Sequence, residues 1–87
     1  MKNLREVALK SMKNKSIRYF ISKNEEGKDI KYGIAILEIC SGKKYEEKIE
    51  NISNSESFVL NLIDFLYDNA IDTAHFKDIV EDFTLIN

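Results

Sequence analysis

The first half of the chain alternates apolar and polar residues with a period of two, the pattern of β-strands that bury one side. Ile17, Tyr19 and Ile21 share one side of such a strand, and the alternation resumes from Ile30 to Ile36. Residues 24–27 between these runs suit a hairpin loop, because glycine accepts the positive φ that closes one. The pattern predicts strands at residues 16–23, 30–41 and 44–52, with a second turn at Ser41-Gly42, joined as an antiparallel meander.

The N-terminal segment fits two structures. Leu4 and Val7 have the spacing of a helix face, whereas Val7 and Leu9 also alternate with polar neighbours as in a strand. Residues 12–15 then supply a tight turn, and lysines at the end of an edge strand are a common protection against edge pairing. We predict a fourth strand at residues 4–10.

From Ser53 onward the apolar period becomes that of a helix. Ser53 and Glu56 have the spacing of a capping box, and Asn54 or Ser55 is an alternative N-cap. Apolar side chains then form one broad face between residues 58 and 66. The pattern predicts helices at residues 55–69 and 73–83, the first ended by a left-handed Asn69 and the second capped by Asp72 or Thr73.

Two amphipathic helices need an apolar surface to pack against, and the meander supplies one. A length of 87 residues suits a single domain. We therefore predict one α+β domain over residues 1–87, in which an antiparallel meander of three or four strands is covered on one face by two C-terminal helices. The side chains expected between the layers are Ile34, Ile36, Leu62, Ile63, Leu66, Phe76, Ile79 and Val80.

Four short segments carry a family resemblance. They are KNLREVAL at residues 2–9, RYF at 18–20, LYDN at 66–69 and DIVED at 78–82. In these segments the chain resembles a family of short uncharacterised proteins of clostridia and related low-GC Gram-positive bacteria. The resemblance extends over nearly the whole chain and implies one compact domain. It brings no known activity and no site residues.

Composition places the chain among soluble globular proteins, with 44% hydrophobic and 32% charged residues. No apolar run approaches the roughly 20 residues that span a bilayer, and charged residues interrupt the N-terminal segment before it reaches the length of a signal peptide. The single Cys40 cannot form an internal disulfide, which fits a reducing compartment. We predict a cytoplasmic protein with no membrane partner.

Charge is unevenly distributed along the chain, although the net charge is −2. Residues 1–48 hold twelve Lys and Arg against seven Asp and Glu, whereas residues 49–87 hold Lys77 and eight acidic residues. Such asymmetry marks either an interaction surface or an internal match between a basic and an acidic layer. The sequence leaves both interpretations open.

Few residues suit catalysis or metal binding. His75 is the single histidine, with Asp72 and Asp78 three residues to either side, but a metal needs a further ligand that the chain does not mark. A nucleophilic pair of Cys40 and His75 requires hydrogen-bond contact and an orienting group, and no pattern brings these two residues together. The glycines also lack the spacing of a phosphate-binding loop. We predict no metal, no cofactor and no enzymatic activity.

Nucleic-acid binding is the alternative function. A helix-turn-helix is disfavoured, because the second helix places Lys77 beside acidic residues at 78, 81 and 82 that repel phosphate. A weak single-stranded nucleic-acid binder would instead use the basic strands and stack bases on their aromatic residues. Its candidate contacts are Lys15, Arg18, Phe20, Lys31 and Tyr32. Against this alternative, the favoured interpretation is that Phe20 and Tyr32 are cross-strand neighbours in the core.

The strand at residues 30–41 is apolar on both sides, with Leu37 and Ile39 facing away from Ile34 and Ile36. Two short helices cover one face of a meander, so the other face is left open unless the N-terminal segment folds over it. We predict a small non-enzymatic protein-interaction or regulatory protein that forms a symmetric homodimer. The candidate interface residues are Leu37, Ile39, Phe65, Tyr67, Leu85 and Ile86.

Overall fold

The computed structural model describes residues 2–85, which form four strands followed by two helices. The sheet is antiparallel throughout, with its strands in sequence order. The predicted α+β class and its meander are confirmed, and the N-terminal segment is a strand. The elements are β1 (Lys2–Met12), β2 (Lys15–Glu26), β3 (Asp29–Cys40), β4 (Lys43–Ser53), α1 (Glu56–Asp68) and α2 (Thr73–Leu85).

Each hairpin closes through a two-residue turn. Ser41 and Gly42 have φ values of 52° and 80°, and positive φ at both central positions matches the right-handed twist of the flanking strands. The β2–β3 turn begins at Gly27, with a φ of 59°. Residues 24–26, predicted as part of this loop, are strand instead, because Asn24 pairs with Lys31 and the ladder continues to the turn.

One face of the sheet packs against both helices and forms the core. Tyr19 on β2 and Phe76 on α2 are its largest fully buried side chains. The residues predicted between the layers are all buried except Ile79, which packs partly buried against the others. The fully apolar centre is therefore built from alternate residues of β2 and β3 and from one stripe of each helix.

Both ends of α1 differ from the leading prediction: the N-cap is the alternative, Ser55, and not Ser53, and Asn69 is not the left-handed residue. Ser55 is the N-cap of α1, and its Oγ accepts a hydrogen bond of 3.2 Å from the backbone N–H of Phe58. Asn69 is not left-handed, since its φ is −102°, and the positive φ of 49° falls on Ala70. The Asn69 side chain reaches back instead and donates to the Phe65 carbonyl at 2.9 Å. This carbonyl in the last turn of α1 is therefore hydrogen-bonded before the chain turns.

Two bulges interrupt the ladders. In β1, Val7 is an extra residue between the pairs Glu6–Phe20 and Ala8–Tyr19. In β4, residues 50–52 stand opposite Gly33, and Asn51 in that segment has a φ of 56°. Bulges of this kind bend a strand and increase its twist. The second bulge brings the β4 backbone directly onto Gly33.

Gly33 is the position where this close approach excludes any side chain. A Cβ at Gly33 would lie 2.9 Å from the Glu50 Cα and 2.7 Å from the Ser22 Oγ, and would also meet the Ile49 carbonyl. We expect Gly33→Ala to lower the free energy of unfolding by about 2–3 kcal/mol, because backbone atoms must move. Chemical denaturation followed by circular dichroism measures this loss.

Ala35→Gly is the matched control, since it changes one methyl group on the same strand. It should cost about 0.5–1 kcal/mol through chain entropy. A Gly33→Ala variant that is no less stable than Ala35→Gly would contradict the close approach of β4.

Candidate functional site

The sheet face turned away from the helices has no covering element in the part of the chain that the structure describes. Because directly paired residues share a face, the strand register assigns its side chains to rows across the sheet. We call this surface the open face. From β1 to β4, its rows are Leu9–Arg18–Leu37–Glu46, Glu6–Phe20–Ala35–Lys48 and Ser11–Ser16–Ile39–Lys44, with Leu4, Ser22 and Gly33 in a fourth row.

On the open face, β3 contributes the apolar run Ala35, Leu37 and Ile39, and β1 contributes Leu4 and Leu9. Leu4, Leu9 and Ile39 are exposed by 60%, 42% and 41%, while Phe20 and Leu37 are partly buried by their neighbours. A soluble sheet that faces water normally alternates apolar with polar residues, and strands apolar on both sides are typical of sheets covered on both sides. Between Gly33 and Ile39, β3 therefore has the apolar character of a strand in a sheet that is covered on both sides.

Charged side chains surround and interrupt this apolar surface. Arg18 Nε lies 4.0 Å from Glu6 Oε1, with both side chains nearly half exposed. Lys44 Nζ lies 3.3 Å from Glu46 Oε1 on the β4 side. Both signs of charge are thus present, and neither dominates the open face.

The residues predicted as an interface fall on two separate surfaces. Leu37 and Ile39 lie on the open face. Phe65 lies on the outside of the helix layer, where its ring centroid is 4.8 Å from that of Phe83. Tyr67 packs edge-on against Tyr19 at 6.5 Å, with the Lys10 ammonium 4.5 Å from its ring centroid. Ile86 and the side chain of Leu85 lie outside the described residues.

The prediction from sequence missed Leu4, Leu9 and Phe20 as members of the open face. On β1, Leu4 and Leu9 were missed because of the bulge at Val7. The extra residue reverses the alternation and brings Leu4 and Leu9 to the same side. No sequence pattern marks such a bulge. Phe20 carried a signal, since it stands between Tyr19 and Ile21 in a strand whose odd-numbered residues are buried.

The predicted nucleic-acid contacts are also divided. Arg18, Phe20 and Lys31 belong to the open face, whereas Lys15 and Tyr32 belong to the helix side. The expectation that Phe20 and Tyr32 are cross-strand core neighbours is wrong. The hairpin register pairs Phe20 with Ala35 and Tyr32 with Lys23, which puts the two rings on opposite faces.

A polar cluster, here called the Lys15 cluster, joins the sheet to the start of α2. It consists of Lys15, Glu38, Asp72 and Thr73. Lys15 Nζ lies 3.3 Å from Glu38 Oε2 and 3.3 Å from Asp72 Oδ2. The backbone N–H and hydroxyl of Thr73 donate to Glu38 Oε1 at 3.0 and 2.7 Å. The Glu38 carboxylate accepts a hydrogen bond from a backbone N–H in the first turn of α2, and its negative charge is favourable at the positive end of the helix dipole.

Burial and pairing act in opposite directions on the pKa values of this cluster. Burial opposes ionisation of Glu38 and Asp72, but hydrogen bonds from Thr73 and His75 and the charge of Lys15 outweigh it, so both pKa values are lowered. The pKa of Lys15 is raised, because its two carboxylate partners outweigh its own burial. The geometry therefore holds one cation between two anions.

Tyr19 extends the Lys15 cluster to the connection between the helices. Its hydroxyl donates to the Ile71 carbonyl at 2.7 Å and lies 3.3 Å from the Leu66 carbonyl. Burial raises the pKa of this hydroxyl, and the negative charges of Asp72 and Glu38 raise it further. The neutral hydroxyl thus fixes the chain between α1 and α2 against β2.

The sequence contained a signal for the Lys15 cluster that the prediction did not use. Glu38 follows Ile34 and Ile36 at the buried period of β3, and it is 6% exposed. A carboxylate at a core position needs a cation and hydrogen-bond donors. Its partners Lys15 and Thr73, however, lie 23 residues before it and 35 residues after it in the chain, and no local pattern identifies them.

The histidine and the cysteine stand at the edge of the same region. His75 is largely exposed, and its Nδ1 lies 2.9 Å from Asp72 Oδ1, the same oxygen that accepts the His75 backbone N–H at 3.2 Å. Asp72 is thereby the N-cap of α2, as predicted. Cys40 lines a shallow groove of about 610 Å³ beside Tyr45 and Asp72. Among residues 2–85, no group of His, Cys, Asp and Glu is arranged to hold a metal ion.

Fold and surface together define a small two-layer α+β domain with one face of its sheet uncovered. The chain belongs to DUF6514, a family of unknown function, whose model matches residues 1–85. The resemblance to an uncharacterised family is confirmed to that extent, and the taxonomic group inferred with it stays a prediction. No match is found among curated proteins or among solved structures. No helix within the described residues has the length and apolar character needed to cross a membrane.

Removing the cation of the Lys15 cluster should destabilise the fold. Lys15→Met leaves two carboxylates close together, with Glu38 still buried, and we expect the free energy of unfolding to fall by about 1–3 kcal/mol. Lys77→Met is the control, because its pair with Glu47 at 3.1 Å is more exposed and should contribute less than about 0.5 kcal/mol. Equal losses in urea denaturation of the two variants would contradict a structural role for the cluster.

Stability should also depend on pH through Glu38 and Asp72. Since their folded pKa values are lowered, their contribution is present above the unfolded values of about 4 and is lost as pH falls through the folded values. Urea titrations between pH 6 and pH 2.5 should therefore show a decline that is shallower in Glu38→Gln. An identical pH dependence in this variant and the wild type would contradict the assignment.

Proposed function

We propose that the protein acts by non-enzymatic association with other proteins, that the open face is its binding surface, and that the partner is a second copy of the same chain. The observation that carries this proposal is the exposure of Leu4, Leu9 and Ile39 on one sheet face. A contiguous apolar patch on a small soluble domain marks an interface more often than a free surface. The single free Cys40 supports a reducing, cytoplasmic setting.

The size of the open face supports a stable dimer. Four strands spaced by about 4.8 Å, each contributing about ten residues at about 3.3 Å, give roughly 600 Å² for each copy. Specific interfaces need at least about 500 Å² from each partner, and 800 Å² is typical. Two open faces in contact therefore reach the range of specific complexes.

The charge on the open face supports a copy of the same chain rather than a nucleic acid. Arg18, Lys31, Lys44 and Lys48 are accompanied there by Glu6, Glu26, Asp29 and Glu46, so these charges balance. A surface with both signs of charge can complement itself across a two-fold axis. A phosphate-binding surface instead needs an excess of cations, and the Lys15 ammonium is already held by two carboxylates.

Sedimentation at micromolar concentration tests the dimer. We expect a species of twice the 10.1 kDa chain mass, and we expect Leu37→Lys to dissociate it with an unchanged far-UV circular dichroism spectrum. Phe65→Lys is the control, since Phe65 is an exposed apolar residue on the helix layer, away from the open face. A monomer at all concentrations, or dissociation by Phe65→Lys and not by Leu37→Lys, would contradict the proposal.

The nucleic-acid alternative makes a different prediction. Binding through Arg18, Phe20 and Lys31 would shift the anisotropy of a fluorescent single-stranded oligonucleotide at low salt and weaken steeply as salt rises. We expect no such shift. A salt-sensitive shift that Arg18→Ala abolishes would favour the alternative over the dimer.

A further inference from the structure

One row of the open face is complementary, in charge and in side-chain size, to the same row in reverse order. In the row Glu6–Phe20–Ala35–Lys48, the acidic residue and the basic residue occupy opposite edges of the sheet. The two central positions hold a large and a small side chain. Read in reverse order, the row therefore presents its complement: a cation for Glu6 and a small residue for Phe20.

This row lies at the middle of the open face. Phe20 and Ala35 are central in two strands of 12 residues each, and those strands are the two inner ones of the sheet. Two sheets packed face to face overlap most when their two-fold axis passes through that centre, in the plane between them. Aligned packing then keeps the strands of the two sheets within about 30° of each other.

A two-fold axis parallel to the strands, between β2 and β3, places each row of one copy over the same row of the other copy in reverse order. Glu6 then meets Lys48 of the partner subunit, and Phe20 meets the partner's Ala35. An axis across the strands along the middle row would place Glu6 against Glu6 and Lys48 against Lys48, which is repulsive.

The neighbouring row agrees with the first of these axes. Arg18 comes to lie above the partner's Leu37 and one strand away from the partner's Glu46, within reach of a long side chain. In the single chain, the Arg18–Glu6 contact of 4.0 Å is longer than the 3.3 Å contacts of Lys15. Within one chain, Lys48 lies 3.5 Å from Glu50 and Glu46 lies 3.3 Å from Lys44. Across the interface, Glu46 lies opposite the partner's Leu9, and Arg18 reaches the partner's Glu46 from the adjacent strand. Glu6 and Lys48 are therefore the opposite charges that this axis brings into direct register.

We infer that the two copies pack with their two-fold axis along the β2–β3 junction, and that the Glu6–Lys48 contact across the interface selects this arrangement. The inference rests on the proposed self-association through the open face. It names Glu6 and Lys48 as residues that determine specificity, with the apolar residues supplying the contact area.

Charge reversal tests the inference. Glu6→Lys and Lys48→Glu each place two pairs of like charges across the interface, so each variant alone should associate roughly tenfold or more weakly than the wild type. An equimolar mixture of the two variants should recover wild-type affinity as a heterodimer, and the double variant should recover it as a homodimer. Sedimentation velocity measures the single species, and native mass spectrometry identifies the mixed dimer.

Lys28→Glu and Asp82→Lys are the matched controls, because they make the same changes in net charge at exposed positions off the open face and should associate as the wild type does. Far-UV circular dichroism checks that every variant is folded. The inferred axis is wrong if Glu6→Lys associates as strongly as the wild type, or if the mixture does not recover the association that the single variants lose. In either case, a dimeric wild type leaves the proposed function intact. A monomeric wild type would overturn both.

Discussion

The structure depends on a strand that is apolar on both of its sides. β3 directs Ile34 and Ile36 toward the helices and Ala35, Leu37 and Ile39 away from them. An isolated two-layer domain covers one of these sides, because two helices of 13 residues each pack on one face of a four-stranded sheet. The open face is the consequence, and the proposed dimer would cover it.

The apolar side of the sheet determines which face the helices occupy, and the Lys15 cluster positions the start of α2 on it. Apolar packing alone has little directional preference, since side chains of similar size are interchangeable within a core. The hydrogen bonds from Thr73 to Glu38 and from Tyr19 to Ile71 are directional, and they fix the start of α2 over the end of β3. The uneven charge of the sequence is partly explained here, because Lys15 from the basic half meets Asp72 from the acidic half. The same is true of Arg5 and Glu56, at 3.6 Å.

Local periodicity was sufficient to predict the fold, but not the surfaces. The alternation of Ile17, Tyr19 and Ile21 and the helical spacing after Ser55 depend on nearest neighbours, so strands, helices and most of the core were predicted from them. The bulge at Val7 and the approach of β4 to Gly33 depend on how strands pair, and they decide which side chains share a face. The Lys15 cluster contains a contact between Lys15 and Asp72, which are 57 positions apart, beyond the range of any local pattern. The prediction that Leu37 and Ile39 face away from the helices was possible because it depends only on the alternation of residues within β3.

The central claim is that the open face is covered by a second copy of the chain. Isotope-filtered nuclear Overhauser spectroscopy on a mixture of ¹³C-labelled and unlabelled protein tests it most directly, because it detects only contacts between copies. The account predicts intermolecular contacts from the methyl groups of Leu9, Leu37 and Ile39, and none from the buried methyl groups of Ile17 and Ile63. Intermolecular contacts confined to the helix layer around Phe65, or their absence at concentrations where the protein sediments as a dimer, would contradict it.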